Sequence, residues 1–207
     1  MEKINYDKKL DAVIENLSQD ERPSVLLQCC CGPCSSAVLE RLCRSFKVTA
    51  YFYNPNIHPK AEYEKRLENE RLLLENMHFA GDVSLYECEY DGARFYEAVR
   101  GLENEPEGGA RCAKCFELRL KKTAETAKKL GCDYFCTTLT VSPHKNADVI
   151  NKIGNRVGEE VGVKFLPSDF KKKEGYKRSI ELSQQAGLYR QTYCGCEFSQ
   201  SGAKINE

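Results

Sequence analysis

Seven of the twelve cysteines in this 207-residue chain fall into three short groups. The first cysteine group is Cys30-Cys31-Gly32-Pro33-Cys34, the second is Cys112-Ala113-Lys114-Cys115, and the third is Cys194-Gly195-Cys196. Cysteines at such spacings bind soft metals or exchange electrons as dithiols. Because the three groups are far apart in the sequence, they can form one site only if the fold brings them together.

Composition and the N-terminal sequence indicate the compartment and the partners of these thiols. No apolar run approaches the roughly 20 residues of a membrane span, so no membrane partner is expected. Residues 1–17 are charged and amphipathic and lack the apolar core of a secretory signal, which predicts a cytoplasmic protein. In that compartment, grouped cysteines indicate metal binding or redox activity more than structural disulfides. Lys plus Arg equals Asp plus Glu, at 31 each, so a nucleic-acid partner would have to use a local basic patch.

Short apolar runs alternate with helical patterns along the whole chain. Strands are predicted at Val25–Cys29, Val48–Tyr53, Val83–Tyr90, Tyr134–Thr140 and Val163–Leu166. Helices are predicted at Gly32–Ser45, Pro59–Met77, Phe95–Arg100, Cys112–Leu130, Asn146–Val161 and Ile180–Ala186. This order predicts one α/β domain over residues 1–207, with a largely parallel, Rossmann-like sheet and helices on both faces. Ligands of such sheets bind beyond the carboxyl ends of the strands, so the C-terminal segment must fold back to close a metal site there.

The first cysteine group follows the first predicted strand. In a regular strand Cys30 and Cys31 would point to opposite faces, so both reach one site only if the chain leaves strand geometry. Gly32-Pro33 provides that break, since proline suits the first turn of a helix. Cys34 then lies near a helix N-terminus, where the helix dipole favours the thiolate. The alternative is a buried strand end that carries small apolar thiols.

The other two groups allow more than one interpretation. Cys112 and Cys115 are neighbours on a helical turn, a spacing found in zinc sites, iron–sulfur sites and redox pairs. With two thiols of the first group they supply four thiolates, the number that completes a zinc or [4Fe–4S] site. Cys194 and Cys196 flank one glycine, and a disulfide between them would be strained and easily reduced. They are therefore a redox couple or additional metal ligands.

A basic segment near the C-terminus suggests a nucleic-acid contact. Lys171, Lys172, Lys173 and Arg178 precede Arg190, and tyrosines are interleaved with these cations. Cations that pair with phosphates next to aromatic rings suit a nucleic-acid loop, although a lysine run is also a common solvated surface. His144, in the loop after the fourth strand, is a candidate substrate contact or a simple turn residue.

Taken together, these segments resemble the QueH family of epoxyqueuosine reductases. The resemblance rests on the stretches at residues 26–35, 53–59, 105–116, 135–146, 169–176 and 187–196, among them Leu-Leu-Gln-Cys-Cys-Cys-Gly-Pro-Cys-Ser and Gly-Leu-Tyr-Arg-Gln-Thr-Tyr-Cys-Gly-Cys. It spans nearly the whole chain. One departure is Gln28, where many relatives have histidine.

The resemblance implies an oxidoreductase that reduces the epoxide of epoxyqueuosine, at the wobble position of tRNA anticodons, to queuosine. It implies a [4Fe–4S] cluster without cobalamin, an additional iron ion beside it, and an electron donor that the sequence does not identify. By matching motifs, the cluster ligands are Cys30, Cys31, Cys112 and Cys115. The same matching makes Cys194 and Cys196 the redox pair and Cys34 a ligand of the second metal. The expected contacts to the tRNA anticodon loop are His144, Lys171, Lys172, Arg178 and Arg190.

Two other classes of protein use similar cysteines. One is a binding or regulatory protein in which four thiolates hold a structural zinc. The other is an ATP-dependent tRNA-thiolating enzyme, which needs a Ser-Gly-Gly-x-Asp-Ser-like phosphate loop after the first strand. Here that position is occupied by Cys-Cys-Gly-Pro-Cys-Ser-Ser, which does not provide the same backbone cradle, and this disfavours the thiolating enzyme.

Overall fold

Five parallel strands form a single sheet in the computed structural model, which describes residues 4–18, 20–80 and 82–200. The strands are β1 (Ser24–Gln28), β2 (Lys47–Phe52), β3 (Ser84–Glu87), β4 (Tyr134–Thr137) and β5 (Lys164–Phe165). Their spatial order is β3-β2-β1-β4-β5, with β1 paired in parallel to both β2 and β4. The chain therefore winds one way from β1 to β3 and the other way from β4 to β5. The resulting switch point lies between the carboxyl ends of β1 and β4, where open sheets of this kind bind ligands.

Helices cover both faces of the sheet, as the alternating pattern predicts. They are α1 (Tyr6–Glu15), α2 (Gly32–Leu42), α3 (Lys60–Asn76), α4 (Gly92–Ala98), α5 (Ala110–Leu130), α6 (Ala147–Val161), α7 (Gly175–Gln185) and α8 (Glu197–Gln200). Successive residues of β1 alternate between two cores, because side chains in a strand point to opposite faces. Val25 and Leu27 pack with α2 and α3, whereas Leu26 packs with α5 and α6. None of the helices described is long and apolar enough to cross a membrane.

Several predicted boundaries are wrong. The third strand spans Ser84–Glu87 and not Val83–Tyr90, and the helix predicted at Phe95–Arg100 spans Gly92–Ala98. Two other errors have a clear local cause. The fourth strand ends at Thr137 and not at Thr140, because Thr137 Oγ1 accepts the Leu139 N–H at 3.2 Å and starts a 3₁₀ turn, Thr138–Val141. The last predicted helix begins at Gly175, five residues earlier than Ile180. A Cβ on Gly175 would lie 1.9 Å from the Phe170 carbonyl oxygen, so only glycine fits this tight start.

Candidate metal and redox site

A buried amide network holds the end of β1 at the switch point. Gln28 is fully buried, and its Oε1 accepts a hydrogen bond from Thr137 Oγ1 of β4 at 2.8 Å. Its Nε2 lies within hydrogen-bond distance of the Cys29 and Tyr53 carbonyls and of Asn54 Oδ1. Asn54 Nδ2 in turn donates to the Cys29 carbonyl at 2.8 Å. Gln28 therefore fixes the backbone that leads into the first cysteine group.

The three thiols of the first cysteine group converge, as predicted. The Sγ atoms of Cys30, Cys31 and Cys34 all lie within 4.8 Å of one another, and no other group of three metal-ligating side chains this tight is found in the described chain. Cys31 is the N-cap of α2 with an extended backbone, so the chain leaves the sheet before the helix begins. Hydrogen bonds from the Cys31 and Cys34 thiols hold the pKa of Cys30 well below its usual range. Burial raises the pKa of Cys31, and the hydrogen bond with Cys30 raises the pKa of Cys34, so the negative charge of the group is centred on Cys30.

The second and third cysteine groups lie next to each other. Cys112 and Cys115 are in the first turns of α5, and Cys115 packs with Cys196 and Phe95 in a small buried cluster. Burial, together with a smaller contribution from the charge of Cys194, raises the pKa of Cys115 to about 12. Burial likewise raises the pKa of Cys112, and the charge of Cys194 adds to this effect. Residues that are about 80 positions apart in the sequence thus share one electrostatic environment.

Main-chain contacts hold the third cysteine group in place. We call residues 188–196 the C-terminal arm. Arg66 of α3, which is 1% exposed and paired with Glu62 at 2.7 Å, donates to the Cys194 carbonyl at 3.0 Å and to the Tyr193 carbonyl at 3.3 Å. The backbone N–H of His58 donates to the Gly195 carbonyl at 2.8 Å. Gly195 has a φ of +103°, and a Cβ there would lie 2.9 Å from Arg66 Nη1, so the position requires glycine. All twelve cysteines are unpaired thiols in this structure.

A cavity of about 780 Å³ joins the first and third cysteine groups. Cys30, Cys34 and Cys194 contribute to its wall, and its cationic lining residues are Arg66, Arg119, Lys145 and Arg190. Glu107 is the one carboxylate among the described lining residues and Arg66 is paired with Glu62, so the lining has more cations than carboxylates. Burial by itself lowers the pKa of Lys145, but the charges of Cys194, Cys30 and Cys34 outweigh burial and raise it. Lys145 therefore remains a cation beside the thiols.

The five predicted substrate contacts separate into two sets. Arg190 and His144 line the cavity. Arg178 and Lys171 do not line it: Arg178 forms two hydrogen bonds with the Glu40 carboxylate, at 2.7 and 3.0 Å, and Lys171 Nζ lies 2.6 Å from Asp169. Lys172 is exposed on the same basic segment, also outside the cavity wall.

Sequence reasoning missed four polar residues of the site, namely Arg66, Arg119, Lys145 and Gln191. Arg66 and Arg119 are in highly charged helices, where an arginine is normally solvated. A signal was nevertheless present, because Arg119 lies one turn after Cys115 and on the same face of α5. Lys145 and Gln191 are next to His144 and Arg190, within stretches that carry the family resemblance. No local pattern distinguishes these two residues from ordinary loop side chains.

Fold and site together define an α/β protein with a thiol-rich, positively charged centre at the switch point of its sheet. Comparison with known proteins is more specific. A family model described as "Epoxyqueuosine reductase QueH" matches residues 25–202. The proteins named epoxyqueuosine reductase QueH from Streptococcus pyogenes and Staphylococcus epidermidis are each 45% identical to this chain over 96% of its length, and the matches cover 79% and 85% of those proteins. The chain therefore belongs to the QueH family of epoxyqueuosine reductases, which are oxidoreductases, and the resemblance seen in the sequence is confirmed.

A more distant relative agrees with this assignment, and one solved structure shares the fold. The QueH protein of Thermotoga maritima is 39% identical over 85% of this chain and 90% of its own length. Among solved structures, the U34-tRNA thiolase NcsA from Methanococcus maripaludis, with its [4Fe–4S] cluster, superposes with a TM-score of 0.50 at 15% identity, covering 93% of this chain and 67% of that one. At this identity the likeness concerns the fold alone.

Proposed function

We propose that this protein reduces the epoxide of epoxyqueuosine in tRNA to the alkene of queuosine, the last step of queuosine formation. The observation that carries the proposal is the positive cavity whose wall includes thiols of two cysteine groups. Its four cations suit a polyanion such as an anticodon loop, and tRNA as substrate makes the reaction cytoplasmic. The two thiol-bearing segments provide redox chemistry at the same cavity.

We propose that Cys30, Cys31, Cys112 and Cys115 hold a [4Fe–4S] cluster, although the tight group of thiols in the described chain is Cys30, Cys31 and Cys34. Thiolate sulfur is the usual ligand of such clusters, and two of these thiols belong to the converging first group. Cys34, the third member of that group, is proposed as a ligand of an additional iron ion. When bound, a cluster of this type supplies electrons one at a time. The chain itself contributes the ligands, a shell that excludes water and the orientation of the substrate.

We propose that the third cysteine group supplies the two electrons and two protons that the reaction consumes. Opening an epoxide to an alkene with release of water consumes two electrons and two protons. Oxidation of the Cys194 and Cys196 thiols to a disulfide releases the same two electrons and two protons. An external dithiol or an electron-transfer protein then has to reduce the pair before the next turnover. Lys145, a cation on the cavity wall beside Cys194, is placed to neutralise negative charge during this step.

The proposal is tested with anaerobically purified protein, epoxyqueuosine-containing tRNA and a chemical reductant, followed by mass analysis of the nucleosides. Queuosine is the expected product. Brown protein with four or more irons supports the cluster, whereas colourless protein with stoichiometric zinc would support a structural zinc site instead.

Matched cysteine variants assign the ligands. Cys112→Ala and Cys115→Ala should lose the cluster and turnover, while Cys194→Ser and Cys196→Ser should keep the cluster and lose turnover. Cys132→Ala, in the turn after α5, is the control and should retain both. Full iron content in Cys115→Ala would remove that residue from the ligand set, and iron loss in Cys194→Ser would make the third group ligands.

A further inference from the structure

One side chain of the C-terminal arm contacts the first cysteine group directly. The Nε2 atom of Gln191 lies 2.7 Å from Cys31 Sγ, although the two residues are 160 positions apart in the sequence. Gln191 also lines the cavity. Its Oε1 atom is buried and has no hydrogen-bond partner. The arm thus approaches the thiols through an amide N–H group.

Anchoring of the arm does not account for this amide. Arg66 and the His58 backbone already hold the main chain of residues 193–195. A buried amide oxygen without a partner destabilises the folded state, and an apolar side chain of similar size would avoid that cost. The feature that an apolar residue could not reproduce is the N–H group at the Cys31 sulfur.

We propose that Gln191 is a positioning residue that hydrogen-bonds the Cys31 ligand sulfur and raises the reduction potential of the cluster. The inference rests on the proposed function, in which Cys31 is a cluster ligand. Hydrogen bonds to ligand sulfurs are one of the means by which proteins set cluster potentials. Reduction adds negative charge that is shared with the ligand sulfurs, so the N–H···S bond is stronger in the reduced state. The bond therefore favours the reduced cluster.

The test is a redox titration of anaerobic, cluster-loaded protein, followed by the EPR signal of the reduced cluster. Gln191→Leu removes the donor, and we expect the equilibrium constant for one-electron reduction to fall about tenfold, which corresponds to a potential about 59 mV more negative. Gln191→Glu keeps the shape but replaces the donor with a carboxylate oxygen, and should lower the potential at least as far. Gln185→Leu, an exposed glutamine at the end of α7, is the control and should leave the potential unchanged.

The possible outcomes distinguish a failure of the role of Gln191 from a failure of the proposed function. Wild-type potentials in both Gln191 variants with full iron content would overturn the role of Gln191 and leave the proposed function intact. Loss of iron from both variants, with the control loaded, would also overturn it, because Gln191 would then be needed for assembly and not for tuning. Wild-type protein that binds no iron–sulfur cluster would instead remove the proposed function.

Discussion

Glu70 provides the sharpest test of the structure, because it is a fully buried carboxyl group without a cation as partner. Ser35 Oγ lies 2.9 Å from Glu70 Oε2 and 3.0 Å from the Cys31 carbonyl, whereas Glu70 Oε1 has no partner. The single Ser35 proton cannot be donated in both directions. A protonated Glu70 resolves this conflict, since it donates to Ser35 Oγ while Ser35 donates to Cys31. Consistent with this arrangement, burial raises the pKa of Glu70 from 4.5 to about 8.

This shift has a defined effect on stability. Between pH 4.5 and pH 8 the unfolded chain ionises Glu70 while the folded chain keeps the proton, so the free energy of unfolding falls as pH rises. The contribution of the protonated group is fully present below pH 4.5 and is lost as pH rises through about 8. With these two pKa values, the loss between pH 6 and pH 8 is about 2 kcal/mol. Glu70→Gln stays neutral and can donate the same hydrogen bond to Ser35, so it should not show this loss.

The assay is anaerobic urea unfolding of wild-type protein and Glu70→Gln at pH 6 and pH 8. The difference between the two proteins should shift by about 2 kcal/mol in favour of the variant at pH 8. Glu75→Gln, an exposed position at the end of the same helix, controls for the loss of one carboxyl group. A constant difference between wild type and Glu70→Gln at the two pH values would show that Glu70 is ionised in the folded protein and would refute the reasoning.

Four further predictions concern the arm, the cavity and the basic segment. Arg66→Gln removes the charged donor to two arm carbonyls, so the arm should detach more often and expose Cys194. Alkylation of Cys194, followed by mass spectrometry, should be on the order of tenfold faster than in wild type. An unchanged rate would show that the arm is held elsewhere. Gly195→Ala places a Cβ against Arg66 at a φ of +103° and should lower turnover about tenfold while circular dichroism stays native; full activity would contradict the close packing there. Arg190→Glu should weaken tRNA binding and reduce the magnitude of its salt slope by about 1. Lys172→Glu, outside the cavity wall, should weaken binding without slowing turnover at saturating tRNA, and equal binding at every salt concentration would remove the basic segment from the interface.

Local patterns were sufficient to predict the first cysteine group and its surroundings. Gly32-Pro33 signals a break in backbone geometry within two residues, and the flanking apolar runs mark the strand and helix on either side. The parallel sheet follows from the same alternation, because each crossover helix requires its neighbouring strands to run in one direction. The strands and helices themselves are encoded by residues close in the sequence, whereas the pairing of β1 with β4 joins segments more than 100 positions apart.

The polar wall of the site could not be predicted in the same way, because its partners are distant in the sequence. Arg66 lies on the buried face of α3 together with Tyr63, Glu70 and Leu73, so its position in the helical repeat is that of a core residue. Its acceptors are main-chain carbonyls more than 120 positions later, and a carbonyl leaves no signature in a sequence. The contact between Gln191 and Cys31 is also invisible in the sequence, because the two residues are 160 positions apart. A pattern can indicate that a charged residue is buried without indicating what it binds.

The C-terminal arm is held by hydrogen bonds to its carbonyl oxygens, and this affects which substitutions the arm can tolerate. Arg66 and the His58 amide recognise Tyr193, Cys194 and Gly195 by groups that nearly every amino acid possesses. These main-chain contacts place no demand on side-chain identity apart from the glycine, which packing requires. Tyr193 adds side-chain contacts of its own, since its ring lies 5.0 Å from the Arg66 guanidinium and its hydroxyl lies 3.4 Å from the His58 carbonyl oxygen. A substitution that spares Gly195 can therefore change the side-chain chemistry of the arm while both main-chain anchors remain in place.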